Sequence, residues 1–174
     1  MQPEEQPEVD SYWIIPGRFM AGEYPSAQNE KTARKKISWL FHKKLNHFID
    51  LTELGEYGLQ SYRRFLSENE INIGFEITYQ QFPITDMQTP THEQMRDILN
   101  AIDEALNSGK NIYLHCFGGI GRTGTVVGCY LVRHGMEGYQ ALEQIARWRF
   151  NTSQGWRISP ETKQQRNFVL SWRG

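Results

Sequence analysis

The chain has 174 residues, a formal net charge of -1 at pH 7, and 39% hydrophobic and 22% charged residues. This length suits one domain with a full core, and the near-neutral charge disfavours binding to nucleic acid or to an anionic membrane. Because no apolar run approaches a membrane span and residues 1–8 are acidic rather than signal-like, we expect a cytoplasmic protein without a membrane partner.

Hydrophobic periodicity and turn residues divide the chain into alternating strands and helices after a polar, disordered tail at residues 1–10. In chain order we predict strands at 12–15 and 19–24, a helix at 29–44, a strand at 47–52, a helix at 59–66, a strand at 75–84, a helix at 91–107, a strand at 111–114 and helices at 122–135, 139–148 and 159–174. The helix at 91–107 has the clearest pattern, with a capping box of Thr91 and Gln94 and with Gly109 after its end.

Strands that alternate with helices are typical of the α/β class. We expect residues 11–174 to form a single domain in which a central, mainly parallel sheet is flanked by helices on both faces. Ligands of such sheets bind at the carboxyl ends of the strands, so the segment after the strand at 111–114 is the first place to look for a site.

That segment, residues 116–121, is called the signature loop below. It starts with Cys116 at the end of a strand and is followed by Arg122 at the start of a helix. Backbone N–H groups at a helix N-terminus attract anions, glycines let them converge, and an arginine contacts two phosphate oxygens at once. The sequence therefore predicts a phosphate site with a sulfur at its floor, formed by Phe117, Gly118, Gly119, Ile120, Gly121 and Arg122.

The same surroundings favour a nucleophilic thiolate at Cys116. Attack of its sulfur on phosphorus would give a cysteinyl-phosphate that water later hydrolyses. We expect the Thr123 hydroxyl to donate to the departing sulfur and the His115 ring to organise the loop by bonding its carbonyls. This chemistry needs no metal and no cofactor, and neither the two cysteines nor the histidine spacing argues for a metal site.

The string His115-Cys116-x-x-Gly119-x-x-Arg122-Thr123-Gly124 resembles the signature of the cysteine-dependent protein tyrosine and dual-specificity phosphatase superfamily. The segments around Gly22 and Asp50 are similar to those of small bacterial dual-specificity-type members. The resemblance implies the dual-specificity phosphatase-like fold and a phosphorylated protein or peptide as substrate. The alternative interpretation is a strand, turn and helix that bury a cysteine without a chemical role.

Cleavage of a phosphoester also needs an acid that protonates the leaving oxygen. Asp86 is our candidate, because it lies just past a predicted strand, in a proline-flanked loop before a helix. The pattern Pro83-Ile84-x-Asp86-x-x-x-Pro90 resembles the acid loop of the dual-specificity branch. The alternative interpretation of Asp86 is an ordinary turn residue.

The resemblance extends more weakly to the C-terminal helix. Gln165, three residues before Phe168, aligns with a glutamine that lies near the active site in the superfamily, although simple helix packing explains it equally well. Glu161 stands where tyrosine-specific members carry a water-positioning glutamine, which puts that role in doubt for this chain.

Two further groups of charged residues have competing interpretations. Glu53 and Glu56 follow a strand end and either border the cleft or are solvated loop acids, the commoner case. A basic cluster is either a substrate-docking patch or a solvated helix face, and it consists of Lys31, Arg34, Lys35, Lys36, Lys43 and Lys44.

The sequence thus predicts a protein phosphatase that acts on phosphotyrosine and also on phosphoserine or phosphothreonine. A phosphoinositide or other non-protein phosphomonoesterase is the alternative, and the uncharged residues 117–121 count against it. An RNA 5′-triphosphatase is disfavoured by the near-neutral charge. An inactive phosphate-binding module is disfavoured because Cys116, Arg122, Thr123 and Asp86 are all present.

Overall fold

A computed structural model describes residues 7–174, with residues 69–73 described by their backbone alone. Within these residues the strands are β1 (Ser11–Ile15), β2 (Phe19–Gly22), β3 (His47–Asp50), β4 (Thr78–Gln81) and β5 (Ile112–His115). The α-helices are α1 (Glu30–His42), α2 (Arg63–Ile73), α3 (His92–Asn107), α4 (Gly121–Arg133), α5 (Gly138–Arg149) and α6 (Lys163–Ser171). A short 3-10 helix covers Glu56–Gly58.

The strands form one sheet in the order β1-β2-β5-β3-β4. The pairs β2–β5, β5–β3 and β3–β4 are parallel, and β1 joins the edge antiparallel to β2. The predicted α/β fold with a mainly parallel sheet is therefore confirmed. The central strand β5 is buried along its whole length, as expected for a strand covered by helices on both faces.

Two core clusters lie on opposite faces of the sheet. Alternating residues of β5 divide between them, since Ile112 and Leu114 pack with one cluster and Tyr113 packs with the other. Helices α3, α4, α5 and α6 contribute to the first cluster, whereas α1 and α2 contribute to the second. The larger first cluster also supports the start of α4, where the signature loop ends.

Two helices begin later than the sequence predicts. Helix α2 starts at Arg63 rather than at residue 59, and residues 59–62 connect it to the turn at Glu56–Gly58 without regular structure. Helix α6 starts at Lys163 rather than at residue 159, because Thr162 caps it in a reciprocal capping box with Gln165. The segment before α6 is thereby free to contact the signature loop.

The capping box predicted for α3 is only half formed. Thr91 accepts from the backbone N–H of Gln94, as predicted. The Gln94 side chain does not return to Thr91, because its amide donates to the carbonyl of Pro83 at 2.8 Å. This bond ties the start of α3 to the loop that carries Asp86.

The predicted tail at residues 1–10 is described only from residue 7, and residues 1–6 lie outside the described residues. Val9 is fully buried in the second cluster. Both carboxylate oxygens of Asp10 accept hydrogen bonds from Ser153, each at 2.8 Å. Residues 9 and 10 therefore pack against the domain.

Much of the basic cluster on α1 is neutralised by neighbouring acids. Arg34 pairs with Glu30 and Glu68, Lys35 with Glu8, and Lys36 with Glu23. These ion pairs favour a structural interpretation of the cluster over a docking patch.

In the part of the chain that the structure describes, no helix is long and apolar enough to cross a membrane.

Candidate active site

The carboxyl ends of the parallel strands meet at one edge of the sheet, and the signature loop lies there between β5 and α4. A cavity of about 250 Å³ opens at this edge. Its lining residues come from four loops and are Tyr57, Asp86, Met87, Cys116, Phe117, Gly118, Ile120, Gly121, Arg157 and Glu161. The fold thus brings Cys116 and Asp86 into one cavity, as the sequence predicts.

The signature loop is held by donors that bond its carbonyl oxygens from outside the cavity. Tyr24 donates its N–H to the carbonyl of Phe117 at 2.9 Å. The Ser159 hydroxyl donates to the carbonyl of Ile120 at 2.7 Å. The Thr125 hydroxyl donates to the carbonyl of Gly121 at 2.8 Å. Since C=O and N–H of a trans peptide point in opposite directions, these bonds turn the following N–H groups towards the other side of the loop.

Gly119 shows why this loop requires glycine. Its φ of 69° lies in the left-handed region. A β-carbon on Gly119 would also overlap the backbone of Gly22 at the end of β2. A side chain at this position would push the loop away from the sheet edge.

His115 is fully buried beneath the loop, and both ring nitrogens have partners. Nδ1 lies 3.1 Å from the carbonyl oxygen of Cys116, and Nε2 lies 2.6 Å from the Tyr62 hydroxyl. A carbonyl oxygen can only accept, so we assign the ring proton to Nδ1 and the donor role at Nε2 to Tyr62. Burial lowers the pKa of His115, which favours this neutral ring.

Arg122 is almost fully buried, and its guanidinium is held by acids of two other loops. Its two terminal nitrogens donate to the two carboxylate oxygens of Glu56, at 2.6 and 2.5 Å. One of them also donates to the carbonyl of Ile84 at 2.9 Å, and the other pairs with Asp86 at 3.1 Å. Burial opposes the charge, but the hydrogen bonds that Arg122 donates to Glu56 and the nearby negative groups raise the pKa of Arg122 above its ordinary value. Arg122 is not among the residues that line the cavity, and its buried Nε has no hydrogen-bond partner among the described residues.

Asp86 lies at the cavity wall with its side chain about one-third exposed, at 32%. One carboxylate oxygen pairs with Arg122, and the other accepts from the Tyr57 hydroxyl at 2.6 Å. The bond to Asp86 raises the pKa of Tyr57. The carboxyl group is therefore fixed at the cavity by two contacts.

Thr123 and Gln165 lie behind the cavity rather than in its lining. The Thr123 hydroxyl is buried and has no partner in the described chain, which leaves its proton available. Gln165 is fully buried, and its amide donates to the carbonyl of Gln88 at 3.2 Å while its oxygen accepts from Thr162. It thereby joins α6 to the Asp86 loop.

Sequence reasoning missed the role of Glu56. Its side chain is only 7% exposed and is paired with Arg122, so the interpretation as a solvated loop acid is wrong for this residue. Glu53 fits that interpretation better, since it is exposed and accepts from the Thr85 hydroxyl at 3.1 Å. The neighbouring Tyr57 gave no separate sequence signal.

Arg157 and Glu161 also line the cavity, and they form an ion pair with each other. An arginine and a glutamate four residues apart are a sequence signal for an ion pair within a helix. Here the pair lies before α6 rather than within a helix.

The second cysteine, Cys129, is buried in α4, and burial raises its pKa. Among the described residues no group of three or more metal-ligating side chains comes together.

Comparisons with known proteins find similarity to phosphatases. The family model described as "polymorphic toxin system, DSP-PTPase phosphatase" matches residues 24–136. Mouse dual specificity protein phosphatase CDC14A is 31% identical over 129 residues, which is 72% of this chain and 20% of that protein. The chain thus spans about a fifth of that relative.

Two further similarities cover more of the chain. The Arabidopsis thaliana protein named phosphatidylinositol 3,4,5-trisphosphate 3-phosphatase and protein-tyrosine-phosphatase PTEN1 is 34% identical over 160 residues, 91% of this chain and 36% of that protein. The crystal structure of a mutant form of Tk-PTP has 26% sequence identity and a TM-score of 0.68, and the match covers 91% of both chains.

Proposed function

We propose, because this chain belongs to the DSP-PTPase phosphatase family of polymorphic toxin systems, that it is a cysteine-dependent protein phosphatase. Its substrates are phosphotyrosine residues of cytoplasmic proteins or peptides, and phosphoserine and phosphothreonine react more slowly. Neither a metal nor a cofactor takes part. One observation carries the proposal: Cys116 and Asp86 line the same cavity, and Asp86 is paired with the buried Arg122.

In the first step the Cys116 thiolate attacks phosphorus. A sulfur–phosphorus bond forms, the bond from phosphorus to the leaving oxygen breaks, and Asp86 gives its proton to that oxygen. The loop N–H groups and Arg122 stabilise the charge on the transferring phosphoryl group. We propose that the Nε of Arg122, which has no partner among the described residues, donates to a phosphoryl oxygen.

In the second step water attacks the cysteinyl-phosphate. Asp86, now a carboxylate, takes a proton from the water, and the sulfur leaves as the bond to phosphorus breaks. Thr123 donates its unpartnered hydroxyl proton in a hydrogen bond to the departing sulfur. His115 and Gln165 act only as supports, since they hold the loop and the Asp86 segment in place.

The preference for phosphotyrosine rests on the apolar mouth of the cavity. The rings of Tyr57 and Phe117 lie 5.0 Å apart between centroids. Both are well exposed, at 67% and 47%, and Met87 beside them is 44% exposed. Aromatic faces favour a flat phenyl ring over the short side chain of phosphoserine.

A phosphoinositide phosphatase is the second candidate, and the similarity to PTEN1 favours it. The uncharged residues between Cys116 and Arg122 count against a highly charged lipid head group. Among the described residues that line the cavity, Arg157 is the one cation, and it is already paired with Glu161. We therefore rank the phosphoprotein substrate first.

Phosphate release from a substrate panel in excess chelator tests the proposal. We expect the fastest release from phosphotyrosine peptides, slower release from phosphoserine peptides, and little from phosphoinositides or nucleotides. Faster release from phosphoinositides would select the second candidate. A requirement for a divalent metal would contradict the thiolate mechanism.

We expect Asp86→Asn to slow phosphotyrosine peptide hydrolysis by about 10²–10⁴-fold, the usual contribution of a general acid. An activated aryl phosphate has a good leaving group, so its first step should slow much less. The pH dependence of kcat should lose the limb that reports the acid. Tyr57→Phe is the matched control, because it keeps the Asp86 carboxyl group and removes only one of its contacts. Equal losses on both substrates, or none, would move the acid role elsewhere, with Glu53 as the next candidate.

A further inference from the structure

The segment from Phe150 to Ile158 exposes large apolar side chains and contributes Arg157 to the cavity lining, and it is called the rim segment. Trp156 is 82% exposed, Phe150 79% and Ile158 67%. Isolated exposed apolar residues are common, but several on one short segment are typical of an interaction site.

Hydrogen bonds with Arg149 and Asp10 hold the backbone of the rim segment. Arg149, which is buried, donates to the carbonyls of Arg157 at 2.7 Å and Gln154 at 3.0 Å. Ser153 is tied to Asp10 through its backbone and its hydroxyl. These bonds order the backbone that carries the apolar side chains. The segment therefore loses less conformational entropy when it binds a partner.

The rim segment is continuous with the catalytic cavity. Arg157 lines the cavity, and its sequence neighbours are Trp156 and Ile158. The following residue, Ser159, bonds the signature loop directly. Adjacent Cα atoms are about 3.8 Å apart, and an extended peptide advances about 3.3–3.6 Å per residue. Trp156 and Ile158 are thus within reach of residues one to three positions from a phosphorylated residue in the cavity.

We propose that the rim segment is a docking surface for apolar side chains that flank the phosphorylated residue of a protein substrate. This inference rests on the proposed phosphatase function and defines its substrate class more closely. Continuity with the cavity favours the substrate itself as the occupant. An anionic membrane is disfavoured because Arg157, the cation among the described cavity-lining residues, is already paired with Glu161. A single segment of this length is also too small for the roughly 1,000 Å² that a stable dimer interface buries.

The test compares two phosphotyrosine peptides, one with leucine or phenylalanine at the three positions on each side and one with glycine there. We expect wild-type kcat/KM to favour the apolar peptide. The Trp156→Ala, Ile158→Ala double variant should lose about tenfold on the apolar peptide, mainly through KM, and less than twofold on the glycine peptide. Tyr139→Ala, which removes an exposed aromatic ring from the far end of α5, is the control and should change neither.

Binding of both peptides to the Cys116→Ser variant measures the same contacts without turnover. The docking surface is supported if the Cys116→Ser protein prefers the apolar peptide and the rim substitutions abolish that preference. This result does not depend on phosphatase activity, because binding alone is measured. Equal affinity for the two peptides, or equal losses on both, would overturn it. Loss of vesicle binding or of dimer formation in the double variant, with peptide affinity unchanged, would overturn it in favour of a membrane or a second copy.

Discussion

Replacing Cys116 by serine is expected to abolish phosphate release while phosphate and vanadate still bind in the cavity. A serine hydroxyl is not ionised near neutral pH and is a far weaker nucleophile than a thiolate. The substitution leaves the carbonyl-bonding donors of the signature loop and the Arg122 contacts in place. Steady-state phosphate release and calorimetric phosphate binding measure the two halves of this prediction.

Cys129→Ala is the matched control for the cysteine variant. Cys129 is buried in the same helix that starts at the signature loop, but it does not line the cavity. Its removal should leave turnover close to that of the wild-type protein. Turnover by Cys116→Ser, or loss of activity in Cys129→Ala alone, would contradict the proposed mechanism.

Arg122→Lys should lower kcat/KM by at least about 10²–10³-fold, the cost of removing one preorganised donor at a transition state. Lysine keeps the positive charge but has no planar fork. It cannot contact Glu56 through two nitrogens, reach Asp86 and the carbonyl of Ile84, and still offer an N–H to phosphate. Phosphopeptide kinetics together with the thermal midpoint of unfolding separate a catalytic loss from a folding defect.

Arg133→Lys provides the corresponding arginine control. Arg133 ends the same helix and bonds Asn100 and Asp103, away from the cavity. We expect near wild-type kinetics from this variant. A folded Arg122→Lys protein with kcat/KM within tenfold of the wild-type value would show that the fork geometry is not needed.

The parts of the site that sequence predicts are those defined over short stretches of chain. Strand β5, the glycines and the start of α4 are consecutive, so their pattern alone indicates an anion site with a cysteine at its end. Asp86 was predicted because it follows a strand of the same parallel sheet, and parallel strands end at one edge. Both inferences depend on local pattern and one topological rule.

Contacts made across long stretches of chain were not predictable in this way. The ion pair of Glu56 with Arg122 joins residues 66 positions apart. Nothing in the local sequence distinguishes Glu56 from its solvated neighbour Glu53, because burial is decided by the packing of the completed loops. The turn at Glu56–Gly58 depends on contacts of the same kind, since Glu56 accepts from Arg122 and Tyr57 donates to Asp86.

The donors behind the signature loop also determine how the site responds to its surroundings. An anion in the cavity meets peptide dipoles that are oriented by Tyr24, His115, Ser159 and Thr125, four residues outside the cavity lining. Peptide groups do not titrate and bring no counter-ions of their own. The attraction that the loop supplies is therefore the same in acid and alkaline solution, and the enzyme's response to pH resides in its few ionisable side chains and in the phosphate itself.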